Sequence, residues 1–376
     1  MHLRITSRLR DALPLSSYAG RARVAPAAAY ALHTPCIRIS VLREGSYRPM
    51  SPRSARAQTG GSGHSMANAR DRSLRHVAFF YRDQAERRAQ VLGLVRAALG
   101  RGEPIFVALP GDEAYLLADQ LDAEPGELLC ADICDTGRNP ARLIPEVRAF
   151  IDKHADERVL VVGEACWPGR SPAELREATR HEALMNLAFA GSAATVTCAY
   201  DAARLPSSAI TDATWTHPEY LASGEPVTAP AHRPTWDVPS DCDRPLQPPP
   251  ADAESLAYDT DLAPVRRMVE RHARDASLGG DRLADLVLAA SEVAANTLDH
   301  TRSGGTFQVW RSHDEILCQA HDQGWITDPL AGRVRRAPDG RGHGLYLVNQ
   351  VCDLVEIRTG PAGTTIRMRM RLPSFP

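Results

Sequence analysis

Glu292 and Asn296 stand four residues apart in the run Ser291–His300, and positions i and i+4 share one face of a helix. A carboxylate there can accept a proton from a hydroxyl, and an amide oxygen beside it is a hard ligand suited to Mg²⁺. Downstream come Asp322-Gln323-Gly324, then Gly340-Arg341-Gly342-His343-Gly344-Leu345, then Gly363-Thr364-Thr365. Asp322 can accept a hydrogen bond at a strand end. The glycines permit close backbone approach, and N–H groups at a helix start favour phosphate oxygens. Thr364 or Thr365 could donate a hydroxyl to a phosphate. Each feature is common by itself: an E-x-x-x-N pair occurs on solvated helices, and D-x-G occurs in ordinary turns. Their order is the informative part.

The elements that must position these residues follow from periodicity. Helices are expected over residues 262–274 and from about 281, the second carrying Glu292 and Asn296 beside a stripe of Leu283, Leu286, Ala290 and Val293. Strands are expected over 306–310, 316–321 and 354–358, with a helix over 345–351. Residues 364–372 alternate, Ile366, Met368, Met370 and Leu372 facing one way and Arg367, Arg369 and Arg371 the other, which predicts a half-buried strand.

The order and spacing of these segments resemble the N, G1, G2 and G3 boxes of the GHKL ATP-binding fold. Within that superfamily residues 343–370 are most similar to the anti-sigma regulatory serine kinases of bacteria. The resemblance implies ATP and Mg²⁺ as cofactors, with Glu292 as base for a serine or threonine hydroxyl on a partner and Asn296 as the Mg²⁺ ligand. It places Asp322 and Gly324 at the adenine, Gly340, Gly342, Gly344 and Leu345 in the lid, and Thr364 and Thr365 near phosphate. It further implies a sigma factor and a STAS-type anti-anti-sigma antagonist as partners, and a homodimer. One position departs: the fuller G1 box is D-x-G-x-G, and its last place holds Ile326. That motivates a second reading, a nucleotide-gated binding module without kinase activity. A third, a histidine kinase of a two-component system, would use His181-Glu182 as its phosphoacceptor box.

Earlier in the chain, apolar runs alternate with helical ones. Strands are expected over 76–81, 104–109, 128–133, 159–162 and 194–200, and helices over 83–99, 140–154 and 171–189, the last opened by the capping box Ser171-Pro172-Ala173-Glu174. That alternation argues a mostly parallel α/β sheet. Gly163-Glu164, residues 167–172, 182–189 and 198–201, and Thr216-His217-Pro218 resemble the MEDS sensory family, related to RecA-like folds. Strand 104–109 leads into Pro110-Gly111-Asp112-Glu113, which lacks the lysine of a P-loop, so this region reads as a non-hydrolysing sensor. Ligands of such sheets bind at the strands' carboxyl ends, making Glu164, Trp167, Arg170 and Asp201 the candidate pocket for a small molecule.

The expected organisation is therefore an α/β protein with four parts. Residues 1–65 are a disordered or mis-assigned tail, 74–222 a RecA-like parallel-sheet sensory domain, 223–254 an extended, unpacked proline-rich linker, and 255–374 a GHKL (Bergerat) α/β sandwich. A net charge of −2 argues against bulk attraction to nucleic acid or an anionic membrane, and no apolar run approaches 18 residues. Eight scattered cysteines without a C-x-x-C pair fit a reducing, cytoplasmic setting.

Overall fold

The computed structural model describes residues 73–121, 127–234, 242–301, 303–335 and 343–373. The tail expected over 1–65 and the lid residues Gly340 and Gly342 lie outside them. Seven strands form the first sheet: β1 (Arg75–Tyr81), β2 (Ile105–Leu109), β3 (Leu128–Asp132), β4 (Val159–Gly163), β5 (Ala194–Asp201), β6 (Glu219–Ala222) and β7 (Glu225–Thr228), in the order β3-β2-β4-β5-β1-β6-β7. Pairings from β3 through β6 are parallel, and the edge strand β7 is antiparallel. The runs IFVAL and VLVVG are apolar on both faces because helices cover both sides of this sheet.

Those helices are α1 (Gln84–Leu99), α2 (Glu113–Ala118), α3 (Ile133–Thr136), α4 (Leu143–Lys153), α5 (Pro172–Ala188) and α6 (Ser207–Thr216). Asp83 Oδ1 accepts from the Glu86 backbone N–H at 2.9 Å and starts α1. Both arms of the Ser171/Glu174 capping box are made at the start of α5. The helix expected over 140–154 is split. Asn139 Oδ1 accepts from Ala141 N at 3.2 Å, and Pro140–Arg142 forms a separate 3₁₀ turn before α4. Helix α5 is unusual in burying Glu174, Glu177, Arg180, His181 and Glu182 together.

The second sheet is antiparallel in the order β11-β12-β10-β9-β8, from β8 (Glu254–Tyr258), β9 (Gly305–Ser312), β10 (Glu315–Asp322), β11 (Leu354–Gly360) and β12 (Gly363–Arg371). Helices α7 (Ala263–Asp275), α8 (Gly280–His300) and α9 (Gly344–Val351) bury Val269, Leu286, Val293 and Val348 in one core with Phe307 and Met368 of the sheet. The fold is thus an α/β parallel-sheet domain followed by an α/β sandwich.

Two expectations are corrected. The alternating strand β12 turns Ile366, Met368 and Met370 toward the helices, but on its arginine face, where Arg371 is exposed, Arg367 is only 5% exposed. Arg367 Nε donates to Gln319 Oε1 at 3.0 Å, and Nη2 reaches the Gln247 carbonyl. Next to it, Arg358 of β11 donates to Glu177 Oε1 of α5 at 2.8 Å and to the Arg244 carbonyl at 3.1 Å. A strand arginine of such an alternation reads as solvent-facing in the sequence, yet it is buried where another element supplies a carboxylate or carbonyl. The same contacts correct the unpacked linker. Its first part is β7, Cys242 is buried, and Asp243 accepts from Arg180 at 2.7 Å.

Candidate functional site

Helix α8 buries Leu286, Ala290, Val293, Ala294 and Thr297 along one stripe, which fixes its rotation. Glu292 and Asn296 then sit together at the margin of the stripe, half-buried. The backbone of Gly344, first residue of α9, passes directly over them. A Cβ there would stand 2.7 Å from Glu292 Oε2 and 3.4 Å from Asn296 Nδ2. Among the described residues, Asn296 Nδ2 is buried without a hydrogen-bond partner and α9 begins without a side-chain cap. An orphaned amide N–H facing a helix N-terminus suits a phosphate oxygen, and the Oδ1 of the same side chain is the atom that could ligate a divalent cation bound to that phosphate.

Asp322, the last residue of β10, is held from two sides. Thr297 Oγ1 donates to its Oδ2 at 2.6 Å, with Tyr258 Oη donating to Thr297 at 2.9 Å behind it, and Gly324 N donates to Oδ1 at 2.7 Å. Gly363, at φ +103°, closes the β11–β12 turn over this strand end. A Cβ there would lie 2.0 Å from the Asp322 carbonyl oxygen, so only glycine fits. Thr364 Oγ1 donates to the Gly324 carbonyl at 2.9 Å and meets Thr359 Oγ1 at 3.0 Å, joining the third box to the first.

Glu292, Asn296, Asp322, Gly324, Gly344 and Thr364 therefore belong to one end of the sandwich. Thr365 does not join them. Successive strand residues face opposite ways, and its hydroxyl lies 3.0 Å from His321 Nδ1 on the other face of the sheet. Leu345 packs against the apolar core, as does Ile326, whose backbone N donates to Thr359 Oγ1 at 3.0 Å. The isoleucine at the departing G1 position thus serves as packing. The donor set fits Mg²⁺ and ATP: a hard amide ligand, a carboxylate, a helix start and an aspartate at a strand end.

On the parallel sheet, Glu164 and Trp167 line a cavity of about 310 Å³ at the carboxyl ends of β1 and β4. Sequence reasoning missed two further polar walls that bond to Glu164, Tyr81 and Arg87. Tyr81 Oη donates to Glu164 Oε1 at 2.7 Å and Arg87 Nη1 to Oε2 at 2.8 Å. Burial still raises the Glu164 carboxyl above its usual range, although Arg87 opposes it. Only the place of Tyr81 at the end of β1, two strands across the sheet from β4, and of Arg87 in the first turn of α1 that follows could have flagged them. Arg170 is instead a brace, donating to the carbonyls of Ala165, Arg138 and Gly137 with its guanidinium over the Trp167 ring. Asp201 accepts from Ala203 N and Arg204 N and shapes the turn after β5. The Pro110–Glu113 turn carries no lysine, and Glu113 is paired with Arg87 and Arg88.

His181 is 4% exposed inside α5, and burial pushes its ring down to about 4. Among the described residues, no helix is long and apolar enough to cross a membrane.

Comparisons with known proteins agree with this division. Residues 75–218 match the family described as MEthanogen/methylotroph, DcmR Sensory domain (MEDS). Residues 256–370 match the histidine kinase-like ATPase domain. No curated protein matches the chain. Among solved structures, the RsbU and RsbW domains of Rv1364c from Mycobacterium tuberculosis are 22% identical, covering 33% of this chain and 33% of that one with a TM-score of 0.23. The likeness thus spans about a third of that protein and decides nothing about activity. Residues 75–218 are a MEDS domain and residues 256–370 a histidine kinase-like ATPase domain of the GHKL type, carried on one chain.

Proposed function

We propose that the chain is a cytoplasmic anti-sigma regulatory factor whose ATPase domain holds a sigma factor and phosphorylates a serine or threonine of a STAS-type antagonist. The MEDS domain would control it through a small-molecule ligand. The carrying observation is the convergence of Glu292, Asn296 and the Gly344 backbone at one helix start. Mg-ATP would supply the γ-phosphoryl group, with Asn296 and the α9 N-terminus at the phosphates and Asp322 at the adenine. Glu292 is placed to take the proton of an incoming hydroxyl, and the fixed Asp322–Thr297–Tyr258 chain orients the adenine end without reorganisation. The burial of His181 weighs against a histidine kinase, because a response regulator could not reach its ring.

The test is transfer of phosphate from ATP to a STAS-domain protein from the same genome, read as acid-stable label on serine or threonine. Glu292→Gln should lower transfer by about 10²–10⁴-fold and leave nucleotide binding intact. Full transfer by that variant would remove Glu292 as base. The packed Ile326 favours one alternative, a nucleotide-gated binder. ATP remaining intact while partner affinity still responds to it would select that reading.

A further inference from the structure

Outside both sites described above, four metal-ligating side chains converge inside the MEDS domain. His76 lies in β1, Cys198 in the adjacent β5, Glu182 in the middle of α5, and His217 at the end of α6. All four are buried, and their donor atoms lie within 4.8 Å of one another. Glu182 Oε2 is 3.3 Å from His76 Nε2, 3.5 Å from His217 Nε2 and 3.2 Å from Cys198 Sγ, and Cys198 Sγ is 3.4 Å from His76 Nε2.

The surrounding hydrogen bonds fix which ring nitrogen carries the proton. Asn186 Nδ2 donates to the Thr216 carbonyl at 2.7 Å, so its Oδ1 faces His76 Nδ1 at 3.0 Å. That oxygen can only accept, so Nδ1 holds the hydrogen and Nε2 presents a lone pair. His217 Nδ1 lies 2.9 Å from the Ala213 carbonyl, which imposes the same tautomer. Two imidazole lone pairs therefore point at a carboxylate oxygen that is also an acceptor. Acceptors do not attract one another; a cation among them reverses the sign. Among the described residues, Glu182 Oε1 is also buried without a hydrogen-bond partner. Backbone carbonyl and amide partners on the far side of ligating histidines are the usual means of orienting them toward a metal.

We propose that His76, Glu182, Cys198 and His217 form a buried binding site for a divalent transition metal of the zinc class. Tetrahedral zinc with bonds of about 2.0–2.3 Å holds its donors on the order of 3.3–3.8 Å apart, close to the spacings here. Imidazole with thiolate selects zinc over magnesium or calcium. Binding releases the Cys198 thiol proton to solvent and forms the sulfur–metal bond; thiolate and carboxylate then balance the two positive charges. With all four ligands buried and from four elements, the ion is a closed clasp joining β1, β5, α5 and α6.

The test uses the full, tag-free chain. Elemental analysis after gel filtration should find one zinc per chain, and cobalt substitution should give the intense visible bands of a tetrahedral site with a thiolate-to-cobalt charge-transfer band. Cys198→Ser should abolish that charge-transfer band. Wild-type protein that retains no metal and shows no cobalt spectrum would overturn the proposal, as would an unchanged charge-transfer band in Cys198→Ser. If the variant does not fold, the wild-type stoichiometry and spectrum still decide, with His217→Gln, expected to weaken cobalt affinity at least tenfold, as a second probe.

Discussion

Glu177 and Glu182 lie five residues apart on α5, and each is only 1% exposed, yet the molecule settles their charges by opposite means. Glu177 sits where α5 meets the ATPase domain and is surrounded by guanidinium groups: Arg180 at 3.3 Å, Arg333 at 3.2 Å and Arg358 at 2.8 Å. Although burial opposes it, those arginines hold the carboxyl below its usual range. Glu182 faces inward to neutral rings and a thiol. A buried carboxylate needs a countercharge. At the domain seam the chain supplies it from three segments; in the core it leaves the place to an ion. The first arrangement locks two domains together, and the second tightens one of them.

The largest way to break this contrast is Glu177→Ala. Arg180 keeps Asp243, but Arg333, pushed down to about 10 by its burial, loses its ion-pair partner. Removing one member of such a set costs about 3–5 kcal/mol, so denaturation should show a large loss of stability and separate melting of the two domains. Adding Arg333→Met should restore much of it, because the stranded charge is then gone. A single Glu177→Ala variant that melts as the wild type does would show that the seam carries no net stabilisation.

The core cluster predicts a different sensitivity. Chelation should destabilise the MEDS domain by about 2.7 kcal/mol if the metal was present at 100 times its dissociation constant, with little direct change in ATPase-domain melting. Calorimetry with and without chelator, and re-addition of zinc, checks this. Equal melting in both conditions would place the two glutamates in the same class after all.

Much of the ATPase end was legible from sequence because its residues act locally. Glu292 and Asn296 share a helix by spacing alone, and Asp322, Gly344 and Gly363 sit at element boundaries that periodicity locates. Strand phase would also have separated Thr364 from Thr365, since Thr364 shares the parity of Ile366 and Met368. The seam and the cluster were not legible. His76 and His217 are 141 positions apart and meet only because β1 pairs with β5 beneath α5. Glu182, Cys198 and His217 drew notice as parts of a family resemblance, with no spacing to declare them neighbours. Arg367 reads as part of the outward face of its strand because nothing in a strand's own alternation says what will cover it.

Acid should also distinguish the two regions. Asp353, which accepts from Arg138 at 3.1 Å, pairs with Arg282 and caps Arg371 N at 2.7 Å, is likewise held below its usual value; burial opposes this and Arg282 leads the opposing charges. A depressed carboxylate contributes stability that is present above its unfolded pKa and lost as pH falls through the folded one. The seam should therefore hold at neutral pH and weaken only below the ordinary glutamate and aspartate values of 4.5 and 3.8. Hydrogen exchange across α5 and residues 330–335 as a function of pH would report it, and opening already near pH 6 would contradict the arginine account.

The smallest effect is the most informative about control. Helix α5 carries both glutamates, so a metal that fixes Glu182 also bears on the position of Glu177, and through it on Arg333 and Arg358 of the ATPase domain. Removing the metal should shift ATP affinity by about five- to tenfold, a coupling of roughly 1 kcal/mol, and by reciprocity ATP should shift zinc affinity by the same factor. Both are measurable by titration calorimetry on the full chain. In Glu177→Ala the coupling should fall while each ligand still binds, because α5 then loses its ion pairs to Arg333 and Arg358 and keeps the one from Glu174 to Arg371 at 2.9 Å. Coupling undiminished by this substitution would mean that the two regions communicate by a route other than Glu177, and its arginine cluster would then be a structural fastening alone.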